Sequence, residues 1–188
     1  ILGYNIDINN EGLNDKMSWL KDKSTNSVIS LIEQLKKDYK IYFTHEEIKE
    51  LINANHNLGR PDLARLLIKK GYVKTVQEAF DKYLIAAYDK TRKVNKNLKP
   101  EECIKLILNS GGIPVLAHPH SLELDNKKLE ILIRKMIKQG LKGIEVYHSD
   151  HTKEKEEFYL YLANKYKLLI SGGSDYHGPI TKPDIFLG

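Results

Sequence analysis

The chain has 188 residues, of which 41% are hydrophobic and 29% charged, as in a globular protein with a core of its own. Its single cysteine, Cys103, excludes an internal disulfide framework, and no apolar run approaches the roughly 20 residues that a membrane helix needs. The net charge of +5 favours anionic partners such as phosphate esters or nucleic acid, and we expect a cytoplasmic protein that does not enter a membrane.

Both ends of the chain look like interior pieces of a larger domain. Residues 1–7 form a largely apolar run that predicts a strand and lacks an initiator methionine, and residues 184–188 form another apolar run. We therefore expect the chain to be a fragment or a partly covered chain.

The first half of the chain carries helix signals and no convincing strand. Apolar residues recur with helical spacing over about 13–39, which predicts a long helix. Capping boxes at 44–47 and 75–78 predict two further helices, and Pro61 suits the first turn of another. Residues 10–97 are therefore predicted to form a helical module.

From residue 100 onwards, helices alternate with short apolar strands. Helices are predicted over about 100–109, 126–139 and 152–166, and the strands that follow them end at Ala117, Tyr147 and Ser171. This alternation is typical of βαβ units with a parallel sheet. Three units are too few to close a barrel, so we expect them to form one arc of it.

Each of these strands is followed by residues of the types that commonly bind metal ions or phosphate. The candidates are His118 and His120 after the first strand, Glu145, His148, Asp150 and His151 in and after the second, and Asp175 and His177 after the third. Active sites of barrels and open α/β folds lie at the C-terminal strand ends. Imidazole and carboxylate donors suit Zn²⁺, Mn²⁺ or Fe²⁺, so the pattern predicts a convergent site.

Each of these residues also has a purely structural alternative. Asp175 could cap a turn with His177 at the surface, His118 could be a satisfied core residue, and His120 could face solvent in a turn. For Asp150 we expect the structural role, as a cap of the helix that follows it, and Thr152 is a second candidate for this cap.

Arg60 is a candidate outside the strand ends. It lies at a predicted helix start, where free backbone N–H groups and a guanidinium suit a phosphate, although an exposed surface arginine is the alternative. We expect the basic run 90–99 to be a solvated loop, with nucleic-acid contact as the alternative, and Cys103 to lie in the core.

Three motifs in the second half resemble the later metal-site motifs of the PHP (polymerase and histidinol phosphatase) domain. They are residues 117–119 (Ala-His-Pro), 143–147 (Gly-Ile-Glu-Val-Tyr) and 173–178 (Gly-Ser-Asp-Tyr-His-Gly). Residues 1–4 and 59–65 are similar to the stand-alone PHP phosphoesterases that act on nucleotides and short RNA 5′ ends. The resemblance covers nearly the whole chain.

The resemblance implies an α/β fold, a partial and distorted (βα)7 PHP barrel with an all-helical inserted module. Residues 1–9 and 98–188 would belong to the barrel and residues 10–97 to the insertion. It also implies two or three divalent ions (Mn, Zn or Fe) and the hydrolysis of phosphate esters of nucleotides or short RNA through a metal-activated water.

The same resemblance implies roles for individual residues. His118, Asp175 and His177 would be metal ligands, Arg60 and His148 would hold the substrate phosphate, and His120 is a further candidate substrate contact.

The chain departs from the family pattern at two places. Asp62 stands where the family's insert usually has a histidine, so an anion replaces a phosphate-binding donor. The family's first ligands, a His-x-His motif and further His and Glu residues, would all precede Ile1. We therefore expect the 188-residue chain alone to have little or no phosphatase activity.

Two other functions stay open. The chain could be a non-catalytic phosphate- or nucleic-acid-binding module that uses Arg60 and the basic run, or an editing domain associated with a polymerase. Binding that weakens with salt but ignores a chelator would indicate the first of these.

Overall fold

A computed structural model describes residues 1–53, 58–91 and 98–176 of the chain. The chain divides into two compact units. Among the described residues, the first unit contains 1–14 and 98–176, and the second contains 15–53 and 58–91. The predicted ligand His177 lies outside the described residues.

The first unit is built on a four-stranded sheet with the strand order β1-β2-β3-β4. The strands are β1 (Leu2–Tyr4), β2 (Ile113–Leu116), β3 (Gly143–His148) and β4 (Leu169–Gly173). Strands β2, β3 and β4 are parallel, as the alternation of elements predicts, whereas β1 pairs antiparallel with β2. The fold is therefore of the mixed α/β class.

The predicted opening strand is shorter than the apolar run suggests. It ends at Tyr4 because Asn5 adopts a left-handed backbone conformation with a φ of 52°, which breaks the extended ladder.

Helices account for most of the remaining described chain. They are α1 (Glu11–Tyr39), α2 (His45–Asn53), α3 (Arg60–Lys69), α4 (Val76–Ala79), α5 (Ile85–Thr91), α6 (Pro100–Asn109), α7 (Asn126–Lys138) and α8 (Lys153–Tyr166). A π-helical segment, Phe80–Leu84, joins α4 to α5. None of the described helices is long and apolar enough to cross a membrane.

In the first unit, helices α7 and α8 connect successive parallel strands, and their apolar faces build the core with the sheet. Fully buried members of this core are Ile104, Ile133, Ile144, Val146 and Leu162. Burying each such side chain stabilises the fold by about 1.5–3 kcal/mol. The core fixes β2 and β3 side by side, which places the residues at their ends close together.

Every secondary-structure element among the described residues of the second unit is a helix, and the unit has its own core. Val28 and Leu35 on α1 are buried, as their helical spacing predicts. The capping box that begins α2 is present in both directions: the Thr44 hydroxyl accepts from the Glu47 N–H at 3.2 Å, and the Glu47 carboxylate accepts from the Thr44 N–H at 2.8 Å. The start of this module at residue 10 stays a prediction.

Candidate functional site

The candidate site lies where the parallel strands of the first unit end. The loop after β3 and the loop after β4 are joined by a hydrogen bond from the Ser149 hydroxyl to the Ser174 carbonyl, at 3.2 Å. The end of β2 is joined to β3 by a bond from the His118 N–H to a carboxylate oxygen of Glu145, at 2.6 Å. The strand-end segments therefore meet at one edge of the sheet, as predicted.

Glu145 is buried inside β3, with 4% of its surface exposed, and its carboxylate has the partner that such burial requires. Its other carboxylate oxygen lies against Gly173 of β4, where an added Cβ would be 2.6 Å away. A side chain there would require the carboxylate or the strand to move. One carboxylate oxygen of Glu145 therefore binds the end of β2, and the other occupies the space beside Gly173.

His118 follows β2 in a strained conformation, with φ at 27° and ψ at 62°. Its Nδ1 lies 2.9 Å from the Ser121 hydroxyl oxygen, and that hydroxyl donates to the His118 carbonyl. Because the hydroxyl proton is used in this way, Nδ1 must carry the ring proton and donate. The Nε2 atom of His118 then has a free lone pair, which is the form that binds a metal ion.

Four imidazole rings form a cluster at the ends of β2 and β3. The distances between ring centroids are 4.9 Å for His120–His151, 5.1 Å for His148–His151, 5.2 Å for His120–His148 and 6.0 Å for His118–His148. The short 3₁₀ turn Pro119–Leu122 carries His120, which the sequence places after the strand. Three of the predicted site residues, His118, His120 and His148, are therefore brought together.

His151 is the fourth member of this cluster. It is among the strand-end candidates that the sequence indicates, because it follows His148 by three residues in the same loop, but no individual role is predicted for it. The ring of Tyr159 in α8 packs edge-to-face against the His151 ring, with a centroid distance of 4.9 Å.

Burial affects the ionisation of two of these rings, His120 and His151. It lowers the pKa of His120 and of His151 below the usual value for histidine, and neighbouring imidazoles lower both further. These rings are therefore neutral at pH 7, which leaves lone pairs on ring nitrogens.

The prediction that Asp150 caps α8 is wrong. Thr152 is the N-cap, and its hydroxyl accepts from the Lys155 N–H at 3.4 Å. The backbone N–H of Asp150 instead donates to Nδ1 of His148 at 3.1 Å, because the loop turns back on the strand end before the helix begins.

Asp175 is the described half of the predicted Asp-x-His pair. It is exposed and adopts a left-handed conformation with a φ of 50° in the loop after β4. The bond between Ser149 and Ser174 sets this loop beside the loop after β3. Its predicted partner His177 lies outside the described residues.

Arg60 belongs to the second unit, at the first position of α3. Its guanidinium stacks over Tyr88 at 4.3 Å from the ring centroid and lies 5.6 Å from that of Phe80. It lines a cavity of about 180 Å³ together with Lys23 and Ser27, among others. Arg60 lies at a helix start, as predicted, and its predicted phosphate contact stays a prediction.

The family-atypical Asp62 has a structural role in the same helix. Its carboxylate accepts from the Gly59 N–H at 2.8 Å and from the Arg65 guanidinium at 2.5 Å. It is buried, with 8% of its surface exposed, so it stabilises the start of α3 and does not face a ligand in solution.

Two further predictions concern residues outside the site. Cys103 is half-buried rather than a full core residue, because it lies at the margin of the apolar face of α6. In the basic run, Lys90 pairs with Asp38 at 2.6 Å, and residues 92–97 lie outside the described residues.

Individual known proteins are similar to the chain, whereas no protein-family model matches it. The 5′-3′ exoribonuclease Rnm of Salmonella typhimurium is 30% identical over 180 residues, which are 95% of this chain and 60% of that protein. The 3′,5′-nucleoside bisphosphate phosphatase of Chromobacterium violaceum is 31% identical over 123 residues, which are 65% of this chain and 42% of that protein.

A solved structure from Bifidobacterium adolescentis, described as a metal-dependent phosphoesterase, superposes with a TM-score of 0.75 at 26% identity. It covers 97% of this chain, which in turn covers 63% of it. The chain is thus similar in sequence and fold to PHP-type phosphoesterases. The PHP resemblance of the strand-end motifs is thereby confirmed, although the chain spans less than two thirds of each of these PHP relatives.

Proposed function

We propose that the whole protein is a metal-dependent phosphoesterase that hydrolyses phosphate esters of nucleotides or short RNA. The observation that carries the proposal is the set of imidazoles at adjacent strand ends in a chain whose relatives include an exoribonuclease and a nucleoside bisphosphate phosphatase. We further propose that the four-stranded sheet is part of a distorted (βα)7 barrel and that residues 10–97 are an insertion into it.

The metal ligands in this proposal are His118, Asp175 and His177. The tautomer of His118 supports its role, because its Nε2 lone pair is free and its ring is held by Ser121. The exposed Asp175 supplies a carboxylate on the loop that is tied to the β3 end. A divalent ion, when bound, supplies an activated water and neutralises the charge that develops on the phosphoryl oxygens.

The protein itself contributes the orientation of these donors. Glu145 holds the His118 backbone at 2.6 Å, so the histidine keeps a conformation that its own φ and ψ disfavour. Such pre-set donors need little reorganisation when the substrate arrives.

Arg60 is proposed to bind a substrate phosphate. Its guanidinium lies 4.3 Å from the Tyr88 ring centroid, and Arg60 and Lys23 line the same cavity, which therefore has two positive charges that suit a phosphate. The direct phosphate contacts predicted for His148 and His120 stay predictions. The His148 side chain is 1% exposed and that of His120 is 20% exposed, so His120 is the more accessible of the two.

Hydrolysis with and without metal tests the proposal. The whole protein and the 188-residue chain should each be assayed with Mn²⁺ against a nucleoside 3′,5′-bisphosphate, a 5′-phosphorylated short RNA and an aryl phosphate. We expect EDTA-sensitive turnover of the first two substrates by the whole protein and little turnover by the 188-residue chain. Turnover that persists in EDTA would contradict the proposal.

A non-catalytic phosphate-binding module is the second candidate, and the cavity beside Arg60 and Lys23 favours it. Binding of the nucleoside bisphosphate that falls steeply with salt, is unaffected by EDTA and is never followed by hydrolysis would establish this alternative.

A further inference from the structure

We propose that His120, His148 and His151 form a mononuclear Zn²⁺ site that is separate from the ligand set His118, Asp175 and His177. The inference concerns residues outside that set and is tested by metal binding alone, so it stands or falls independently of the proposed hydrolase activity.

The first argument is the supply of donor atoms. Nδ1 of His120, Nε2 of His148 and Nε2 of His151 are all buried and have no hydrogen-bond partner. One ring nitrogen from each of the three residues lies within 4.8 Å of the others. Buried polar atoms in proteins almost always have a partner, and one shared ligand could satisfy these three nitrogens together.

The second argument concerns the opposite nitrogen of each ring: that of His151 is hydrogen-bonded to a carbonyl, and one carboxylate lies close to the other two. Nδ1 of His151 lies 2.7 Å from the Val146 carbonyl. The Asp150 carboxylate lies 3.8 Å from Nδ1 of His148 and 3.9 Å from Nε2 of His120. Histidine ligands usually donate their outer N–H to such a carbonyl or carboxylate, which turns the inner lone pair towards the metal.

His151 already has the tautomer that a ligand needs, because its Nδ1 proton is directed to a carbonyl. His148 changes on binding. Its Nδ1 accepts from the Asp150 N–H at 3.1 Å, so the neutral ring carries its proton on Nε2. Binding of a metal at Nε2 moves this proton to Nδ1. The Asp150 N–H must then turn away, and the Asp150 carboxylate, 3.8 Å from Nδ1, takes its place as the partner. Asp150 is therefore a positioning residue for the site.

The third argument is the chemistry of the donor set. Three imidazoles without a thiolate suit Zn²⁺, which takes three protein ligands and one open position in tetrahedral sites. Zn–N bonds place tetrahedral donors about 3.4 Å apart, so the rings must close by roughly 1 Å from their present spacing. His120 on its short turn and His151 in the loop before α8 supply this movement.

Titration of the metal-free 188-residue chain with Co²⁺, followed by displacement with Zn²⁺, tests the site. We expect one Co²⁺ per chain with the strong visible absorption of a tetrahedral complex. His120→Ala and His151→Ala should each weaken binding by more than about 100-fold, and Asp150→Asn by about 10–100-fold. His45→Ala, which changes an exposed histidine of α2, is the matched control and should bind as the wild type does.

Far-UV circular dichroism shows which variants are folded. If an alanine variant is not, histidine ¹⁵N spectra of the wild-type chain replace it: Zn²⁺ should shift Nδ1 of His120 and Nε2 of His148 and His151. The proposal is overturned if no Co²⁺ binds stoichiometrically or if other ring nitrogens shift. It is equally overturned if binding survives in folded His120→Ala and His151→Ala but is lost in the His118→Ala/Asp175→Asn double variant.

Discussion

The backbone N–H of His118 donates to the buried carboxylate of Glu145 at 2.6 Å, and this bond ties the end of β2 to the middle of β3. It holds His118 at a φ of 27°, a conformation that costs a non-glycine residue about 1–3 kcal/mol. The position of the His118 imidazole therefore depends on a carboxylate that is not one of the proposed metal ligands.

Replacing this carboxylate should destabilise the chain. Glu145→Leu leaves the His118 N–H without its partner, and we expect the free energy of unfolding in urea to fall by about 1–3 kcal/mol. Glu157→Leu changes an exposed glutamate of α8 and is the control, expected within about 0.5 kcal/mol of wild type. Equal stability of the two variants would show that the Glu145 bond contributes nothing.

Gly173 should not tolerate even a methyl group. In Gly173→Ala the added Cβ would lie 2.6 Å from the Glu145 carboxylate, so the strand or the carboxylate must move. We expect a loss of about 1–3 kcal/mol in urea unfolding. Gly12→Ala in α1, where the nearest atom to an added Cβ is 3.5 Å away, should be neutral or stabilising. A Gly173→Ala protein as stable as Gly12→Ala would contradict the contact.

The ion pair between Glu47 and Lys70 should make the helical unit sensitive to acid. The Lys70 ammonium, 2.7 Å away, and the Thr44 N–H lower the pKa of Glu47 below its usual value of 4.5. A lowered carboxylate pKa stabilises the fold above the unfolded-state pKa, and this contribution is lost as the pH falls through the folded-state pKa.

Glu47→Gln should therefore lower stability by about 0.2–1 kcal/mol at pH 7, and the difference from wild type should shrink as the pH falls below 4.5. Thermal unfolding measured across pH checks this. Glu50→Gln is the control, because its carboxylate lies 3.9 Å from Lys69 with both side chains largely exposed. A Glu47→Gln deficit that is the same at every pH would rule out the ion pair as its cause.

Arg60 should control phosphate affinity. Arg60→Ala should weaken calorimetric binding of a nucleoside 3′,5′-bisphosphate by about tenfold or more, because a hydrogen bond to a charged group is lost. Arg60→Lys should restore only part of the affinity, because an ammonium group cannot make a bidentate contact or stack on the Tyr88 ring as a guanidinium does. Arg134→Ala, an exposed arginine of α7, should bind normally. Equal affinity of the Arg60→Ala and Arg134→Ala proteins would refute a phosphate contact at Arg60.

Much of the fold could be predicted because its signals are local. The capping box of Thr44 and Glu47 marks the start of α2, and Thr75 accepts from the Glu78 N–H at 3.1 Å in the second predicted box. The π-helical segment Phe80–Leu84 was not predicted, because its hydrogen bonds depend on packing rather than on residue spacing. The antiparallel pairing of β1 likewise depends on the sheet as a whole.

The site was predicted in outline only. Parallel strands place His118 and His148 at one edge, which follows from topology. The close approach of His120 to His151, at 4.9 Å, depends on how the turn after β2 and the loop after β3 bend, and no spacing rule gives that. The role of Asp150 was mistaken for the same reason: a carboxylate before a helix usually caps it, and here the loop turns it towards two imidazoles.

The most direct test of the account is the hydrolysis of a nucleoside 3′,5′-bisphosphate by the whole protein with Mn²⁺, compared between wild type and His118→Ala. Loss of a group that merely supports a metal ligand already costs 10–100-fold, so we predict that removing His118 lowers kcat/KM by about 100-fold or more, while EDTA abolishes the wild-type activity. His118→Ala activity equal to wild type, or wild-type turnover undiminished by EDTA, would contradict a metal-dependent phosphoesterase site at these strand ends.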